Sequence, residues 1–316
     1  MIKRAKRVLE LIKENHSIDE IQSELELSNR EFSDILKYLR DYGYNFTKTY
    51  HSDGKIIIKL NKTLNFNDNK KTRIVVKDRI LRSIFISDLH IGSIHERPDL
   101  LRKVYEYAIS HDIHIIFNCG DVIEGIYPDN PIPPRNPTLQ SQIKKVLRVY
   151  PEHPGIINFV LYGNHDYHSL QEEGVDVSRI FETKRYDLVS LGYGESTVLL
   201  KDDAISIVHD LKKSQTVLNP DTAITFKGHS HKSKNSFKEE KKIFIPTLSD
   251  DTTGPYEFRP LPCFLEAEFY FYDKKIERIN LRQLAIVNKE IRLANEEAIV
   301  LRKVPRTKRN YIPQQK

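Results

Sequence analysis

Apolar and polar positions in the first sixty residues follow the period of a helix three times in succession. The apolar positions of residues 8–12 lie on one face of a predicted first helix. Two capping boxes, in which a serine precedes a glutamate by three residues, predict the starts of a second and a third helix. They lie at Ser17 with Glu20 and at Ser28 with Glu31.

A hairpin is predicted directly after the third helix. Two short strand-like runs flank Asp53-Gly54, and an Asp-Gly pair is a strong signal for a tight hairpin turn. Three helices, a short connection between the second and the third, and a hairpin resemble a winged helix-turn-helix. The resemblance covers about residues 5–60 and predicts a small N-terminal module over residues 1–62.

Two roles are open for this module. A helix-turn-helix places its third helix in the major groove of DNA, and the outward positions of that helix here include Arg30, Lys37 and Arg40. Acidic residues, among them Glu31 and Asp34, dilute this charge, so a phosphate-binding face does not stand out. The alternative is a helical module that docks on the rest of the chain or on another protein.

The segments on either side of the large central region are basic. A polar, turn-prone stretch marks a domain boundary, and we place a basic linker at residues 63–80. Near the other end, residues 264–279 predict a hairpin, residues 281–300 predict a helix, and a basic tail follows Leu301. A helical segment and a basic tail are therefore expected over residues 286–316.

Five hydrophobic runs between residues 81 and 285 carry the candidate chemistry. They alternate with helical stretches, as in layered α/β folds. Each run ends in residues that bind metals or transfer protons, where the carboxyl end of a strand would present them. The run ends carry Asp88 and His90, then Asp121, then Asn164 with His165 and Asp166, then His209, and finally His229 with His231.

The donor types and their spacing favour a pair of divalent metal ions. Asp88 and His90, like His229 and His231, are two positions apart, and such positions face the same side of an extended chain. Aspartate, histidine and asparagine donors suit manganese, with iron, zinc or magnesium as alternatives, and they exclude a thiolate site. A carboxylate between two sets of donors can bridge two ions about 3.5–4 Å apart, which activate water and bind phosphate oxygens.

These five clusters, in this order, resemble the signature of the calcineurin-like metallophosphoesterases. The resemblance covers residues 81–285 and implies an α/β sandwich of two sheets around a binuclear metal centre. It also implies a role for each residue. Asp88, His90 and His231 would hold one ion, Asn164, His209 and His229 would hold the other, Asp121 would bridge them, and His165 would donate a proton or stabilise the charged transition state.

Several neighbouring residues have two interpretations each. Asp166 either orients the adjacent histidine or caps a turn, and Asp210 is a candidate partner of a metal ligand. His168 is close enough to the run end to contact a substrate. The proline-rich loop between residues 126 and 140 is expected to overhang the site, where Arg135 contacts either a phosphate or only solvent.

Composition narrows the class of protein. Of the 316 residues, 39% are hydrophobic and 30% are charged, which fits a folded protein with a sizeable core. The two cysteines lie far apart and predict neither a disulfide framework nor a zinc finger. No apolar run reaches the roughly 20 residues of a membrane helix, and no signal peptide is recognisable. We therefore expect a cytoplasmic protein without membrane contacts.

A net charge of +6, much of it in the linker and the tail, permits a polyanionic partner without requiring one. We predict a phosphodiesterase or nuclease that acts on nucleic acid, DNA over RNA. One alternative is a small-molecule phosphoesterase whose winged helix serves assembly, with a protein partner or in a homo-oligomer. The other is a catalytically idle scaffold on DNA. None of the predicted metal ligands is replaced by another residue type, which argues against the idle scaffold.

Overall fold

The N-terminal residues fold as their pattern predicts. The computed structural model describes residues 2–41, 44–61, 72–127, 134–210, 222–231, 235–236, 241–250 and 261–302. Both capping boxes form: the Glu20 carboxylate accepts from the Ser17 backbone at 2.8 Å, and the Glu31 carboxylate accepts from the Ser28 backbone at 2.9 Å. The elements are α1 (Ile2–Lys13), α2 (Ile18–Leu25), α3 (Asn29–Asp41), β1 (Asn45–His51) and β2 (Ile56–Asn61).

Strands and helices alternate through the central part of the chain, and long strands end the described residues. The first of these elements are β3 (Thr72–Val75), β4 (Ile80–Ile86), α4 (Pro98–Ser110), β5 (Ile115–Cys119), α5 (Leu139–Val149), β6 (Ile157–Tyr162), α6 (Asn164–Glu173) and α7 (Val177–Lys184). They are followed by β7 (Leu188–Tyr193), β8 (Glu195–Leu200), β9 (Asp203–Val208), β10 (Ile224–Lys227), β11 (Asn235–Ser236), β12 (Lys242–Phe244), β13 (Cys263–Tyr272), β14 (Lys275–Val287) and β15 (Glu290–Val300).

The described strands form two sheets, as predicted. One has eight strands in the order β11-β12-β10-β9-β8-β3-β1-β2, and the other has seven in the order β15-β14-β13-β4-β5-β6-β7. In the seven-stranded sheet β4, β5, β6 and β7 are parallel, and in the eight-stranded sheet β9, β10 and β12 are parallel. Parallel strands bring their carboxyl ends to the same edge of a sheet, which is where ligands bind in open α/β folds.

A row of phenylalanines fills the space between the sheets. Phe85 of β4 stacks on Phe226 of β10 with ring centroids 3.8 Å apart, and on Phe117 of β5 at 4.8 Å. Phe117 in turn lies 5.4 Å from Phe159 of β6. Stacked aromatic rings bury large apolar areas in a fixed geometry. This packing fixes the relative position of β4 and β10, and both strands end at the candidate site.

The outer face of the seven-stranded sheet is covered by helices. Val104 of α4, Val146 of α5 and Phe181 of α7 are buried in one cluster with side chains of β5 and β6. Because β5 and β6 are therefore buried on both faces, their sequences lack polar alternation and are apolar except for the buried Asn118 and Asn158. Among the helices in the described residues, none is long and apolar enough to cross a membrane.

The N-terminal module shares a sheet and a core with the rest of the protein. Strand β1 pairs with β2 on one side and with β3 on the other, and β3 pairs with β8. Tyr50 of β1 packs edge-on against Phe159 of β6 at 5.3 Å, and Ser33 of α3 donates to the Thr183 carbonyl of α7 at 3.1 Å. Strand β3 lies in the predicted linker, and residues 62–71 lie outside the described residues. Use of this module as a DNA-binding winged helix stays a prediction.

The predicted helix at residues 281–300 is wrong. Strand β14 pairs with β13 and with β15, and the hairpin predicted at residues 264–279 is confirmed and extends further. Buried Leu281 and Leu284 are three positions apart, as on a helix face, because the β14–β15 register shifts between Gln283 and Leu284. A two-residue turn at Asn288 and Lys289, both left-handed, joins β14 to β15.

Candidate metal centre

The carboxyl ends of strands from both sheets meet at one junction. Each of the five predicted hydrophobic runs contains a strand, and each strand delivers its polar residues to this place. The seven-stranded sheet contributes Asp88 and His90 after β4, Asp121 after β5, and Asn164 and His165 after β6. The eight-stranded sheet contributes His209 after β9, and His229 and His231 after β10.

Asp88, His90 and His231 form one group of donors, whose ligand atoms lie within 4.8 Å of one another. His231 Nε2 lies 3.3 Å from His90 Nε2 and 3.3 Å from Asp88 Oδ1. Asp88 is fully buried, yet within the described residues its Oδ1 has no partner in hydrogen-bonding geometry. A buried carboxylate oxygen without a hydrogen bond, with imidazole nitrogens around it, fits a bound cation better than an ordinary polar cluster.

Asp121, His209 and His229 form a second group. Asn164 joins it, because its Oδ1 lies 3.2 Å from His209 Nε2 and 3.0 Å from His229 Nδ1. His209 is fully buried, whereas His229 is exposed. The second group therefore opens to solvent on the side of His229.

Asp121 lies between the two groups. Its Oδ2 is 2.9 Å from His209 Nε2 in the second group and 3.9 Å from His90 Nε2 in the first. Its Oδ1 accepts a hydrogen bond from the His165 backbone at 3.0 Å. Asp121, His90 and His165 also form a third set of donors, so the His165 ring is within reach of an ion. The sequence did not predict that the His165 ring would lie within reach of an ion.

The backbone at the candidate ligands is not extended. Asp88, His90, Asp121, His229 and His231 all have left-handed φ values, between 44° and 75°. Asp88 and His90 belong to one donor group, whereas His229 and His231 belong to different groups. Tight turns, and not an extended chain, place all four side chains. Non-glycine residues in this conformation cost free energy, about 1–3 kcal/mol each in strained cases, and persist only where the surroundings hold them.

Glycines at three strand ends pack against the buried His209 ring. Gly120, Gly163 and Gly228 each precede a candidate ligand, and a Cβ at any of them would overlap the His209 ring. At Gly163 the added carbon would also overlap Asp121 Oδ1. The three strand ends can therefore approach His209 closely only because these positions carry no side chain.

Glu124, which no motif singled out, positions two histidines. Its carboxylate lies 3.0 Å from His90 Nδ1, and its backbone carbonyl accepts from His165 Nδ1 at 2.6 Å. Gln142 bonds both the N–H and the carbonyl of Gly125, and so holds the chain next to Glu124. The only signal in the sequence was the position of Glu124, three residues after Asp121.

Buried carboxylates hold protons on two of the histidines. Burial would lower the pKa of His90, but the Glu124 hydrogen bond and the charges of Asp121 and Asp88 raise it to about 9. Burial would also lower the pKa of His209, but the charge of Asp121 outweighs this effect and raises the pKa to about 9. These carboxylates thus require nearby positive charge, and divalent ions that replace the protons would supply it.

The donor set fits divalent metal ions. Imidazole nitrogens, carboxylates and an amide oxygen suit manganese, iron or zinc, and the Oδ1 of Asp88 is a buried anionic atom without a hydrogen bond in the described residues. The second nitrogen of His209 donates to the Cys119 carbonyl at 2.7 Å, which leaves Nε2 free of a proton when the ring is neutral. The geometry could therefore hold two ions, with Asp121 within reach of both.

Other predicted residues have structural partners. Asp166 accepts from the backbones of Gly163, Val122 and Ile123, so it caps the turn and does not contact the His165 ring. Burial and the charge of Asp121 raise its pKa, which these three donors oppose. Asp210 pairs with Lys227 at 2.6 Å.

The proline-rich loop is described only at its two ends, because residues 128–133 lie outside the described residues. At one end Tyr127 stacks on His168, with ring centroids 4.1 Å apart. At the other end Arg135 lies 3.4 Å from the Glu96 carboxylate. Arg135 therefore has a carboxylate partner, which leaves a phosphate contact by this residue unsupported.

Comparison with known proteins addresses the family and the fold. The family model described as calcineurin-like phosphoesterase matches residues 81–266, more than half of the chain. No curated protein matches the chain. Among solved structures, the chain is similar to GAP50, the anchor in the inner membrane complex of Plasmodium. That likeness has 12% identity and a TM-score of 0.42, and it covers 72% of this chain and 90% of the other.

Two further structures share this distant likeness. Nuclease MPE of Pseudomonas putida has 14% identity and a TM-score of 0.34, with 61% of this chain and 85% of the other covered. The calcineurin-like phosphoesterase YfkN of Bacillus subtilis has 8% identity and a TM-score of 0.33, with 70% and 90% covered. Likenesses this distant leave the activity open.

Proposed function

The chain belongs to the calcineurin-like phosphoesterase family, and we propose that it is a phosphodiesterase that uses two divalent metal ions to hydrolyse nucleic acid, DNA in preference to RNA. Membership of the family makes the chain a metal-dependent hydrolase. The observation that carries the proposal is the position of Asp121, whose carboxylate lies between two groups of donors.

In this proposal Asp121, which lies between the two groups of donors, would help to hold two manganese ions. Such ions would supply positive charge to the phosphate oxygens and an activated water for attack on phosphorus. The donor atoms of each group already lie within 4.8 Å of one another, so little reorganisation would be required to bind an ion. Asp88, His90 and His231 would hold one ion, and Asn164, His209 and His229 would hold the other.

His165 donates a proton to the leaving oxygen. Its Nδ1 bonds the Glu124 carbonyl, and because a carbonyl can only accept, Nδ1 carries a proton in every state of the ring. Nε2 is therefore the atom that gains and releases the exchangeable proton. Burial lowers the pKa of His165, although the charge of Asp121 opposes this effect. The lowered pKa makes the protonated ring a better acid.

Access and charge support a polymeric, anionic substrate. His229 is exposed, so within the described residues a long chain can reach the second group of donors from this side. Basic residues of the linker and the tail carry much of the excess positive charge, which is the charge that phosphate backbones bind. Since α3 contacts α7 through Ser33, we propose that the N-terminal module docks on the catalytic domain and that the basic segments hold the nucleic acid.

Hydrolysis assays with added manganese test the proposal. Single-stranded DNA, double-stranded DNA, RNA and the small diester bis(p-nitrophenyl) phosphate are compared, with wild-type protein and with His165→Ala. We expect DNA to be hydrolysed fastest and the variant to be slower by about 10²–10⁴-fold, the usual contribution of a general acid. Hydrolysis of the small diester without hydrolysis of any polymer would contradict the nucleic-acid substrate.

Metal content separates a proton donor from a ligand. If His165 is the donor, His165→Ala still binds two manganese equivalents, measured by elemental analysis of the dialysed protein. Loss of one equivalent would make His165 a ligand in the third set of donors and would contradict its proposed role.

A further inference from the structure

A polar cleft lies between the N-terminal module and the catalytic domain, away from the candidate metal ligands. Its volume is about 600 Å³, within the range of about 300–1,000 Å³ typical of small-molecule sites. Elements α3 and β1 line one side, and the end of α7 with β7 lines the other. None of the candidate metal ligands lines this cleft.

Lys48 of β1 is the unusual residue in the cleft. It is half-buried, and within the described residues no hydrogen bond or ion pair engages its ammonium group. Burial lowers the pKa of Lys48, and the charge of Glu182 opposes this effect through space. A lysine that loses hydration without gaining a partner is destabilising, so such a residue calls for a ligand that compensates it.

Further positive charge surrounds Lys48. Arg40 of α3 and Lys184 of α7 line the same cleft from its two sides, and both are exposed. Arg73 also lines it, with its guanidinium donating to the Lys201 carbonyl at 3.0 Å. Among the described lining residues Glu182 is the only carboxylate. The cleft therefore carries an excess of positive charge, which favours an anion with several oxygen acceptors.

Aromatic residues line the same cleft as these cations. Tyr50, Phe46 and Tyr186 line the cleft, and all three are partly buried against the hydrophobic core. The hydroxyl of Tyr186 donates to Asp19 at 2.5 Å, which holds its ring in place. Fixed aromatic rings next to cations suit a ligand with a flat heterocycle and a phosphate, because the rings contact the first and the cations bind the second.

We propose that this cleft is a binding site for a mononucleotide, with the phosphate on Lys48 and Arg40 and the base against the aromatic residues. The site is separate from the proposed hydrolytic centre and does not depend on the chemistry proposed there. Since its walls belong to the N-terminal module on one side and to α7 and β7 on the other, a bound nucleotide would contact both parts of the protein.

Calorimetric titration of the full chain tests the site. AMP, adenosine and inorganic phosphate are titrated in EDTA, which prevents metal-dependent binding and hydrolysis of the nucleotide. We expect AMP to bind with one equivalent and adenosine to bind at least about tenfold more weakly, the loss expected when a charge-assisted hydrogen bond is missing. Inorganic phosphate, which lacks the base, should also bind more weakly than AMP.

Lys48→Met and Lys37→Met form a matched pair of variants. Lys37 is exposed on α3 and does not line the cleft, so its replacement should leave AMP affinity unchanged within about twofold. Lys48→Met should weaken AMP at least about tenfold. It should not lower the melting temperature of the free protein, because it removes a poorly solvated charge. No AMP binding, equal binding of adenosine, or unchanged AMP affinity in Lys48→Met would overturn the proposal.

Discussion

Residues with a left-handed backbone conformation have different roles in the N-terminal module and at the candidate metal centre. In the module, Asn15 follows α1 and Glu26 caps α2, so the conformation ends a helix, and the Glu26 backbone forms a capping bond. At the metal centre the same conformation occurs at five candidate ligands. There it does not end an element; it turns a side chain towards a common point.

The difference shows where each region obtains its stability. The helix ends are compensated locally by backbone hydrogen bonds. The turns at the metal centre depend on neighbours from other strands, namely the glycines that crowd His209 and the Asp166 carboxylate that bonds two loops. Substitutions at the centre should therefore affect metal binding and hydrolysis, whereas substitutions at the helix ends of the module should affect folding stability and leave hydrolysis unchanged.

Asp121→Asn should have the largest effect. It removes the charge shared by both groups, and we expect hydrolysis to fall on the order of 10³-fold or more, because metal ions contribute several kcal/mol to catalysis. Metal content should fall below two equivalents. Asp112→Asn is the matched control: Asp112 has a similar φ, 55° against 53°, but lies exposed at the end of α4. Equal losses in both variants would contradict a special role for Asp121.

Glu124→Gln should have the next largest effect. The substitution weakens the hydrogen bond to His90 Nδ1 but keeps the backbone carbonyl that holds His165. We expect manganese affinity to fall about 10–100-fold, the usual result of removing such a partner of a ligand. Titration with manganese measures this. Glu106→Gln, on the exposed face of α4, should bind manganese as the wild type does; a similar loss there would count against the assignment.

Gly163→Ala should destabilise the protein by about 1–3 kcal/mol, as other overpacking substitutions do, and should also weaken metal binding. The added carbon overlaps Asp121 and His209. Gly174→Ala provides the contrast, because Gly174 has a φ of 65° but open space around its Cα. It should cost about 1 kcal/mol through backbone strain alone, with metal binding intact. Chemical denaturation and metal titration of both variants separate packing from strain.

Glu20→Gln should have the smallest effect and no effect on hydrolysis. The Ser17 backbone and Lys55 lower the pKa of Glu20 to about 2 from 4.5. A lowered pKa means that its stabilisation is complete above about pH 4.5 and is lost as pH falls towards 2. We expect a loss of about 0.5–1 kcal/mol at pH 7, the usual contribution of a helix cap, and little difference at pH 2. An equal deficit at both pH values would contradict the ionic contribution.

The candidate ligands could be found from the sequence because each follows a hydrophobic run. Runs that are buried on both faces are mostly apolar and do not alternate, so the ends of β5 and β6 were clear without knowledge of the fold. The left-handed turns were not anticipated, because even aspartate and histidine, which adopt this conformation more often than most residues, do so in only a minority of cases. Glu124 was missed because its role depends on His90, which another strand supplies.

The predicted helix at residues 281–300 failed for a different reason. Alanine, leucine and glutamate are frequent there, and local preference for a helix is outweighed by pairing with β13 along the sheet. Asn288-Lys289 was the available signal, because a two-residue turn with an asparagine joins hairpin strands.

The pairing of β1 with β3, and of β3 with β8, has a consequence for how the protein unfolds. Residues before the phosphoesterase region supply strands to its sheet and Tyr50 to its core, so the two parts cannot melt independently. Heating should give one calorimetric transition, with the calorimetric and van't Hoff enthalpies equal. The module is then part of the cooperative unit that keeps the metal ligands in place. Removal of the module should therefore prevent folding of the whole chain, and metal binding would be lost as a consequence.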